Sequence, residues 1–144
     1  MSSGVWPKST HPPETPIWVA VYGSLMRGLG GAERAGVDHV TRFVGPCVLE
    51  GELFDLGDWP GMRPGHGRVV GEIHALLDAS ALARVDSFED YDPTDPRGSL
   101  YLRERVELLE PEGVEVWTYF YNHVPDASAR VPNGDWRAWL AERD

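Results

Sequence analysis

In residues 19–28 an apolar run changes abruptly into small and polar residues at Gly23. The run predicts a buried strand over residues 17–22, and Gly23 permits a turn that a side chain would obstruct. The amides of Gly23, Ser24 and Leu25 then need acceptors, which an anionic or carbonyl oxygen of a ligand can supply. An ordinary strand exit closed by a glycine turn has the same pattern. The stretch therefore predicts either a binding loop or a plain turn.

Composition narrows the classes of protein to which this chain can belong. Its 144 residues suit one domain, with 13 Lys and Arg against 23 Asp and Glu and a net charge of −10. This charge repels phosphate backbones, and no apolar run approaches the ~20 residues that span a bilayer. A single cysteine, Cys47, cannot form an internal disulfide, and we see no signal peptide. We expect a cytoplasmic protein without nucleic-acid or membrane partners.

Proline and glycine divide the chain into segments. Residues 1–15 are rich in Ser, Pro and Thr and predict a flexible tail before a single domain of residues 16–144. Residues 26–38 suit a loop with at most a short helix. Two strands are expected at 40–49 and 51–56, with a bend or bulge near Gly45-Pro46. Residues 57–67 are dense in turn formers and predict a surface loop that directs Trp59 and Met62 inward or towards a ligand.

The segment after Asp78, a natural helix cap, predicts a short helix with a misplaced carboxylate. At about 100° per residue, Glu89 lies in one arc with Leu82, Val85 and Phe88. Burial there would raise the pKa of Glu89 and make it a candidate general acid and base. Two structural alternatives stay open. In the first, Arg103 or Arg105 on the next strand pairs with the Glu89 carboxylate. In the second, the helix frays before residue 89.

The second half of the chain predicts a hairpin. Alternating patterns over residues 101–108 and 114–121 flank the turn at 110–113, and residues 133–140 suit a capped helical turn that packs its tryptophans on the domain. Many short strands with one clear helix indicate a mainly β domain. The most plausible architecture is a small barrel with helices on its outside.

Several other chemistries lack their required spacing. Ser24 does not lie in a G-x-S-x-G elbow, and Gly28-Leu29-Gly30-Gly31 lacks the residues of a phosphate loop. The five histidines are scattered without metal-ligand spacing, and Cys47 is isolated from them. These observations disfavour a serine nucleophile, a nucleotide site and a metal site.

The motifs taken together match a known family in order along residues 17–123. They are Val21-Tyr22-Gly23-Ser24-Leu25, Leu53-Phe54-Asp55-Leu56-Gly57, Val69-Val70-Gly71-Glu72-Ile73, Val85-Asp86-Ser87-Phe88-Glu89-Asp90-Tyr91, Tyr101-Leu102-Arg103 and Trp117-Thr118-Tyr119-Phe120-Tyr121. With these motifs the chain resembles the γ-glutamylcyclotransferase-like family, which includes AIG2-like proteins and γ-glutamylamine cyclotransferases. It departs where many relatives have Gly after the glutamate, because this chain has Asp90.

The resemblance implies a fold and an activity. The fold would be α+β and mainly β, a small mixed β-barrel with short flanking helices and a cavity at its mouth. The activity would be cofactor-independent cyclisation of a γ-glutamyl compound, releasing 5-oxoproline and an amine or amino acid. Glu89 would be catalytic. The substrate-binding residues would be Tyr22, Gly23, Ser24 and Leu25, with Tyr101, Arg103 and Tyr121 serving either as pocket contacts or in strand packing and surface charge.

One alternative function keeps the same fold. The chain could be a non-catalytic module that binds a small ligand in the same cavity, since a fold does not establish turnover. The expected partner is in either case a small molecule, and the expected assembly is a monomer or small homo-oligomer. The identity of the γ-glutamyl compound, from dipeptide to γ-glutamylamine, is left open by the sequence.

Overall fold

The computed structural model describes residues 17–143, so the expected tail of residues 1–15 lies outside the described part of the chain. Five strands are present in that part: β1 Ile17–Val21, β2 Thr41–Asp55, β3 Pro60–Leu76, β4 Tyr101–Glu107 and β5 Glu115–Tyr121. The helices are α1 Gly31–Ala35, α2 Ala79–Phe88 and α3 Trp136–Arg143, with 3-10 turns at Asp38–Val40, Pro96–Gly98 and Ala127–Ala129. The expected α+β, mainly β class is confirmed.

The strands form one mixed sheet in the order β2-β3-β1-β5-β4. β1 and β5 are parallel, with Val19 opposite Trp117, and the other neighbours are antiparallel. The expected barrel is not confirmed, because no ladder joins β4 to β2 within residues 17–143 and the sheet is open. In the described part of the chain, β2 pairs with the segment after β4 only at a bridge between Val48 and Glu110. Pro111 follows and has no N–H with which to extend that pairing.

The strand β2 is longer than the sequence predicted. Residues 41–55 form one strand rather than two, with register shifts between Phe43 and Gly45 and between Glu50 and Glu52. The first shift is the bulge expected near Gly45. The second shows that Gly51 lies in a bulge and does not end the strand.

The predicted surface loop over residues 57–67 is wrong for most of its length. β3 begins at Pro60, and residues 60–63 pair with the end of β2. Residues 64–67 lie between the paired positions Arg63 and Arg68 and bulge out of the ladder, so Pro64 is not required to donate a hydrogen bond there. Met62 is fully buried and Trp59 is 49% exposed. Only the turn at residues 57–59 remains of the predicted loop.

Helices α2 and α3 begin at the capping residues that the sequence predicts. Asp78 accepts a hydrogen bond from the Ser80 amide and starts α2, as expected. Asp135 accepts from the Ala138 amide at the start of α3, where Trp136 is buried. α2 ends at Phe88, one residue earlier than the apolar arc implied. Glu89 is therefore the cap residue of α2 rather than a member of its buried stripe.

The predicted hairpin of β4 and β5 is confirmed, with Tyr101 opposite Tyr121 and Glu107 opposite Glu115. The core lies against the central strands β1, β3 and β5, where each fully buried aliphatic side chain contributes about 1.5–3 kcal/mol. Its fully buried members include Val19, Leu49, Leu53, Val69, Val116 and Val131. In residues 17–143 no helix has the length and apolar character needed to cross a membrane.

Candidate active site

A cavity of about 650 Å³ opens where β1 ends. Its wall consists of residues 21–25, the β2–β3 turn at 58–60, the end of α2 at 88–90, and Arg34, Leu100 and Tyr101. The structure thus brings the loop Tyr22-Gly23-Ser24-Leu25, Glu89 and Tyr101 together around one space. These residues are separated by up to 79 positions in the sequence.

The loop after β1 is anchored at both ends and leaves its amides available. The Tyr22 hydroxyl donates to the Tyr119 carbonyl (2.7 Å) and accepts from the Met62 amide (3.2 Å). The carbonyl of Gly23 accepts from the Met26 amide (2.9 Å). The amides of residues 23–25 donate to no acceptor among residues 17–143. Three unused donors in the wall of a cavity suit an anionic or carbonyl oxygen.

Gly31 lets the chain return tightly against this loop. Its amide donates to the Ser24 carbonyl (2.8 Å), and a Cβ at Gly31 would lie 2.4 Å from that oxygen. Any side chain there would displace the loop. The short helix α1 therefore begins directly behind the binding loop and brings its own side chains to the cavity.

Glu89 is held at the end of α2 by a hydrogen-bonded C-cap. The Tyr91 amide donates to the Asp86 carbonyl (2.8 Å) and the Asp90 amide to the Ser87 carbonyl (3.1 Å), the two bonds of a Schellman motif. Asp90 occupies the left-handed position of that motif, with a φ of 56°. This position favours glycine, although aspartate tolerates it. The cap fixes the backbone from which Glu89 reaches the cavity.

The carboxyl of Glu89 is poised to exchange protons near neutrality. Burial, together with the negative charge of Asp86, raises the pKa of Glu89 to about 7. Asp86 lies in the last turn of α2 and Glu89, three residues later, is the C-cap, so the two residues are neighbours at the end of the helix. A carboxyl with this pKa can accept a proton and return it in the same pH range.

Asp86, not Glu89, is the carboxylate that the arginine of β4 neutralises. Arg103 Nε donates to Asp86 Oδ1 (2.8 Å), and the Tyr119 hydroxyl donates to the same oxygen (2.6 Å). The alternative in which Arg103 pairs with Glu89 is therefore wrong, and Arg105 forms an ion pair with Glu115 instead. Asp86 did not stand out in the sequence because it lies outside the apolar arc that singled out Glu89, yet its side chain is buried in the fold.

Of the three candidates on β4 and β5, only Tyr101 lies in the wall of the cavity. Its hydroxyl donates to the Pro60 carbonyl (2.6 Å), and burial followed by the charge of Glu89 raises the pKa of Tyr101. Tyr121 stacks at a tilt beside Tyr101, with 5.6 Å between ring centroids, outside the wall. Arg103 also lies outside it, with its guanidinium 4.6 Å from the Trp117 ring centroid.

Sequence reasoning missed several residues of the wall, above all Arg34. α1 has five residues, too few for a periodic pattern to show which side chains face the cavity. Trp59 was predicted to point inward or towards a ligand, and it lies in the wall beside Asp58. The remaining residues come from turns, where pattern gives little information about side-chain direction.

Helix α3 contacts both the binding loop and the β2–β3 turn. Arg137 donates to the Arg27 carbonyl (2.5 Å), three residues beyond Ser24. Trp139 Nε1 donates to Asp55 Oδ2 (2.8 Å), and Arg143 donates to the Gly57 carbonyl (2.8 Å). One helix therefore bonds to residues that flank two parts of the wall, residues 22–25 and residues 58–60.

Behind the loop, a buried glutamate is surrounded by donors. Glu72, 4% exposed, accepts from the Arg27 amide (2.9 Å), contacts His74 Nε2 (3.0 Å) and lies 3.4 Å from Arg137 Nη1. Burial alone would raise the pKa of Glu72, but the Arg27 amide, the His74 side chain and the Arg27 charge hold that pKa below its usual value. Glu72 is a stable carboxylate that binds the end of the loop.

No metal centre is evident in the described part of the chain. Within residues 17–143, no group of three or more His, Cys, Asp and Glu side chains is arranged to hold a metal ion. Cys47 is buried, and burial followed by the charge of Glu72 raises the pKa of its thiol to about 12. A protonated, enclosed thiol is a poor nucleophile.

Comparison with known proteins identifies the family. The family model described as gamma-glutamyl cyclotransferase, AIG2-like, matches residues 19–138. The Escherichia coli K12 gamma-glutamylcyclotransferase family protein YtfP is 33% identical over 119 residues, which cover 82% of this chain and 94% of YtfP.

Two solved structures share the fold. A mouse AIG2-like protein superposes with a TM-score of 0.65 at 22% identity, covering 85% of this chain and 89% of the mouse chain. An uncharacterised protein of Pyrococcus horikoshii also gives a TM-score of 0.65, at 18% identity, with 88% and 95% covered. With the family model matching most of its length, the chain belongs to the AIG2-like gamma-glutamyl cyclotransferase family.

Proposed function

We propose that the protein cyclises a γ-glutamyl compound and releases 5-oxoproline and an amine or amino acid. The observation that carries the proposal is the pairing, across one cavity, of a glutamate whose pKa is about 7 with three backbone amides that have no described acceptor. Membership of the gamma-glutamyl cyclotransferase family supports the same reaction class.

The first step is proton removal. The α-ammonium of the substrate must lose a proton before its nitrogen can attack, and the ionised carboxylate of Glu89 takes it. A base with a pKa near 7 is ionised in about half of the molecules at neutral pH, and it still binds the proton firmly enough to deliver it later. An ordinary glutamate would be ionised but would hold the proton too weakly.

The second step forms and breaks the bonds. The free amine attacks the γ-carbonyl carbon within the same molecule, so a C–N bond forms and the carbonyl electrons move to oxygen. The amides of Gly23, Ser24 and Leu25 supply hydrogen bonds to a substrate oxygen, either the α-carboxylate or this developing oxyanion. The bond to the leaving nitrogen then breaks as protonated Glu89 gives that nitrogen its proton and the carbonyl re-forms. The attacking nitrogen, which became positively charged when the C–N bond formed, gives its extra proton to the Glu89 carboxylate that this leaves, and the product is the neutral lactam.

The conformation of the bound substrate also contributes to the rate of the reaction. In water the γ-glutamyl chain samples many conformers, and only those that bring the amine to the γ-carbonyl can react. A cavity bounded by Tyr101, Trp59 and residues 22–25 restricts the γ-glutamyl group to such conformers. Because the entropy of ordering the substrate is lost on binding, the barrier of the chemical step is lower.

The test measures 5-oxoproline release from γ-glutamyl amino acids, γ-glutamylamines and glutathione. Wild-type protein is expected to release 5-oxoproline from at least one compound, and Glu89→Gln is expected to abolish the release. Glu112→Gln, an exposed glutamate in the β4–β5 turn, is the matched control. Undiminished release by Glu89→Gln overturns the mechanism. Saturable binding without release from any compound favours a non-catalytic binding module.

A further inference from the structure

Among residues 17–143, the cavity wall has one cation and three carboxylates. Asp58, Glu89 and Asp90 lie in the wall, and Arg34 is the only lysine or arginine that this described part of the chain contributes to it. A γ-glutamyl compound carries at least one carboxylate of its own, which the three acidic side chains repel. Arg34 is therefore the side chain of this wall that can attract an anionic group of the substrate.

Arg34 lies in the wall of the cavity close to the end of α2. Its guanidinium carbon is 5.9 Å from the ring centroid of Phe88, the residue before Glu89. A Cβ at Gly30, the residue before α1, would lie 3.0 Å from Arg34 Nη1. Gly30 has a φ of 86° and no side chain, so it leaves room for the guanidinium at the start of α1. Arg34 thus lies in the same cavity wall as residues 22–25 and the end of α2.

Arg34 also differs from the arginines around it in its partners. Arg103 is bound by Asp86, and Arg27 is bound by Glu72. Within residues 17–143, no carboxylate lies within 4.0 Å of the Arg34 guanidinium. Its planar donors therefore remain available for a bidentate contact with a carboxylate in the cavity.

We infer that Arg34 binds a carboxylate of the substrate and determines which γ-glutamyl compounds the site accepts. The inference rests on the proposed function for the identity of the substrate. Two carboxylates share the required chemistry: the α-carboxylate of the glutamyl group, and the terminal carboxylate of a leaving amino acid. If Arg34 takes the first, the loop amides serve the γ-carbonyl oxygen. If it takes the second, γ-glutamyl amino acids are preferred over γ-glutamylamines.

The experiment compares three substrates with wild-type protein and Arg34→Gln. They are γ-glutamylalanine, its α-carboxamide and its C-terminal amide. Arg34→Gln is expected to lower kcat/KM for γ-glutamylalanine about 10-fold to 100-fold, mainly through KM, because a charge-assisted contact is lost. For the analogue that lacks the recognised carboxylate, wild-type protein and Arg34→Gln are expected to have the same kcat/KM. Insensitivity of the α-carboxamide identifies the α-carboxylate, and insensitivity of the C-terminal amide identifies the leaving group.

Two results would overturn the inference: an equal loss with all three substrates, or no loss with γ-glutamylalanine. Arg42→Gln, an exposed arginine of β2, is the matched control and is expected to leave all three values unchanged. The variant Arg34→Lys, which keeps the charge without the planar fork, is expected to recover only part of the loss.

A binding measurement separates this inference from the proposed function. Calorimetry with γ-glutamylalanine on Glu89→Gln, with and without Arg34→Gln, reports recognition in the absence of turnover. If wild-type protein turns over nothing and the binding still depends on Arg34, the proposed function fails and the inference stands. If turnover occurs and binding ignores Arg34, the inference alone fails. If neither binding nor turnover is detected, both are wrong.

Discussion

Glu72 and Glu89 are both removed from bulk water near the same loop, and their carboxyl groups behave in opposite ways. Glu72 is surrounded by the Arg27 amide, His74 and Arg137, and its pKa is held below the usual value. Glu89 faces the cavity with Asp86 as its charged neighbour, and its pKa rises to about 7. Burial raises the pKa of a carboxyl in both cases, so the partners decide the outcome. Glu72 stays ionised and binds the Arg27 amide, whereas Glu89 can gain and lose a proton near neutral pH.

The largest expected difference between the two glutamates is in turnover. Glu89→Gln is expected to lower kcat about 10²-fold to 10⁴-fold, because the amide cannot carry the proton. Glu72→Gln keeps an acceptor for the Arg27 amide and is expected to lower kcat/KM less than about 10-fold, through loop placement. Steady-state assays of 5-oxoproline release compare the two. Equal losses would mean that the contrast in pKa has no bearing on the reaction.

Removal of the Glu72 carboxylate tests whether its hydrogen bonds stabilise the segment around Arg27. Glu72→Ala is expected to lower the free energy of unfolding by about 1–3 kcal/mol, because the Arg27 amide and His74 lose their acceptor. Urea denaturation at pH 7 measures the change, and Glu72→Gln is expected to show a smaller one. An unchanged midpoint for Glu72→Ala would show that the loop is held without this carboxylate.

The two carboxyl groups should also give opposite pH dependences of stability. Folded Glu89 keeps its proton up to about pH 7, whereas an unperturbed glutamate loses it near 4.5. The folded state therefore binds more protons, and stability falls as pH rises from about 4.5 to 7, by on the order of 2–3 kcal/mol. Glu72, with a lowered pKa, contributes stability above pH 4.5 that is lost as pH falls through its folded pKa.

Urea denaturation across pH 3–8 checks these signs. Glu89→Gln is expected to flatten the decline between pH 4.5 and 7, and Glu72→Gln to flatten the decline below 4.5. A decline that is unchanged in Glu89→Gln would contradict the assignment of its pKa.

The smallest effect is expected from the neighbour that helps to raise the pKa of Glu89. Asp86→Asn removes a negative charge, and the pKa of Glu89 should fall while burial still holds it above the usual value. The acid limb of kcat against pH is then expected to move to lower pH by less than about one unit. Because Asp86 also holds Arg103 and Tyr119, Arg103→Gln serves as the control for loss of those contacts. A shift of the same size in Arg103→Gln would refute the charge explanation.

Much of this arrangement could be predicted from the sequence. The strand before Gly23, the cap at Asp78 and the β4–β5 hairpin follow local patterns, and the structure contains all three. Glu89 stood out because a carboxylate followed apolar residues at helical spacing. Local sequence pattern was sufficient to predict those elements whose conformation is determined by residues within the segment itself.

Other features depend on contacts that local pattern does not contain. Residues 60–67 have the composition of a loop, and only pairing with β2 and a bulge make them part of a strand. The closed barrel was expected from the number of strands, but the Val48–Glu110 bridge ends without a ladder. Arg34 reaches the cavity because Gly31 turns α1 back against Ser24, a tertiary contact.

The bonds that α3 makes beside two parts of the cavity wall have a consequence for how the family can diversify. Arg137 donates to the carbonyl of Arg27, two residues beyond Leu25, and Arg143 donates to Gly57 in the β2–β3 turn, yet neither arginine lies in the wall. Substitutions on this helix can shift these two segments relative to each other while every residue of the wall keeps its identity. The shape of the cavity can therefore change through residues outside its wall, while Glu89 is retained.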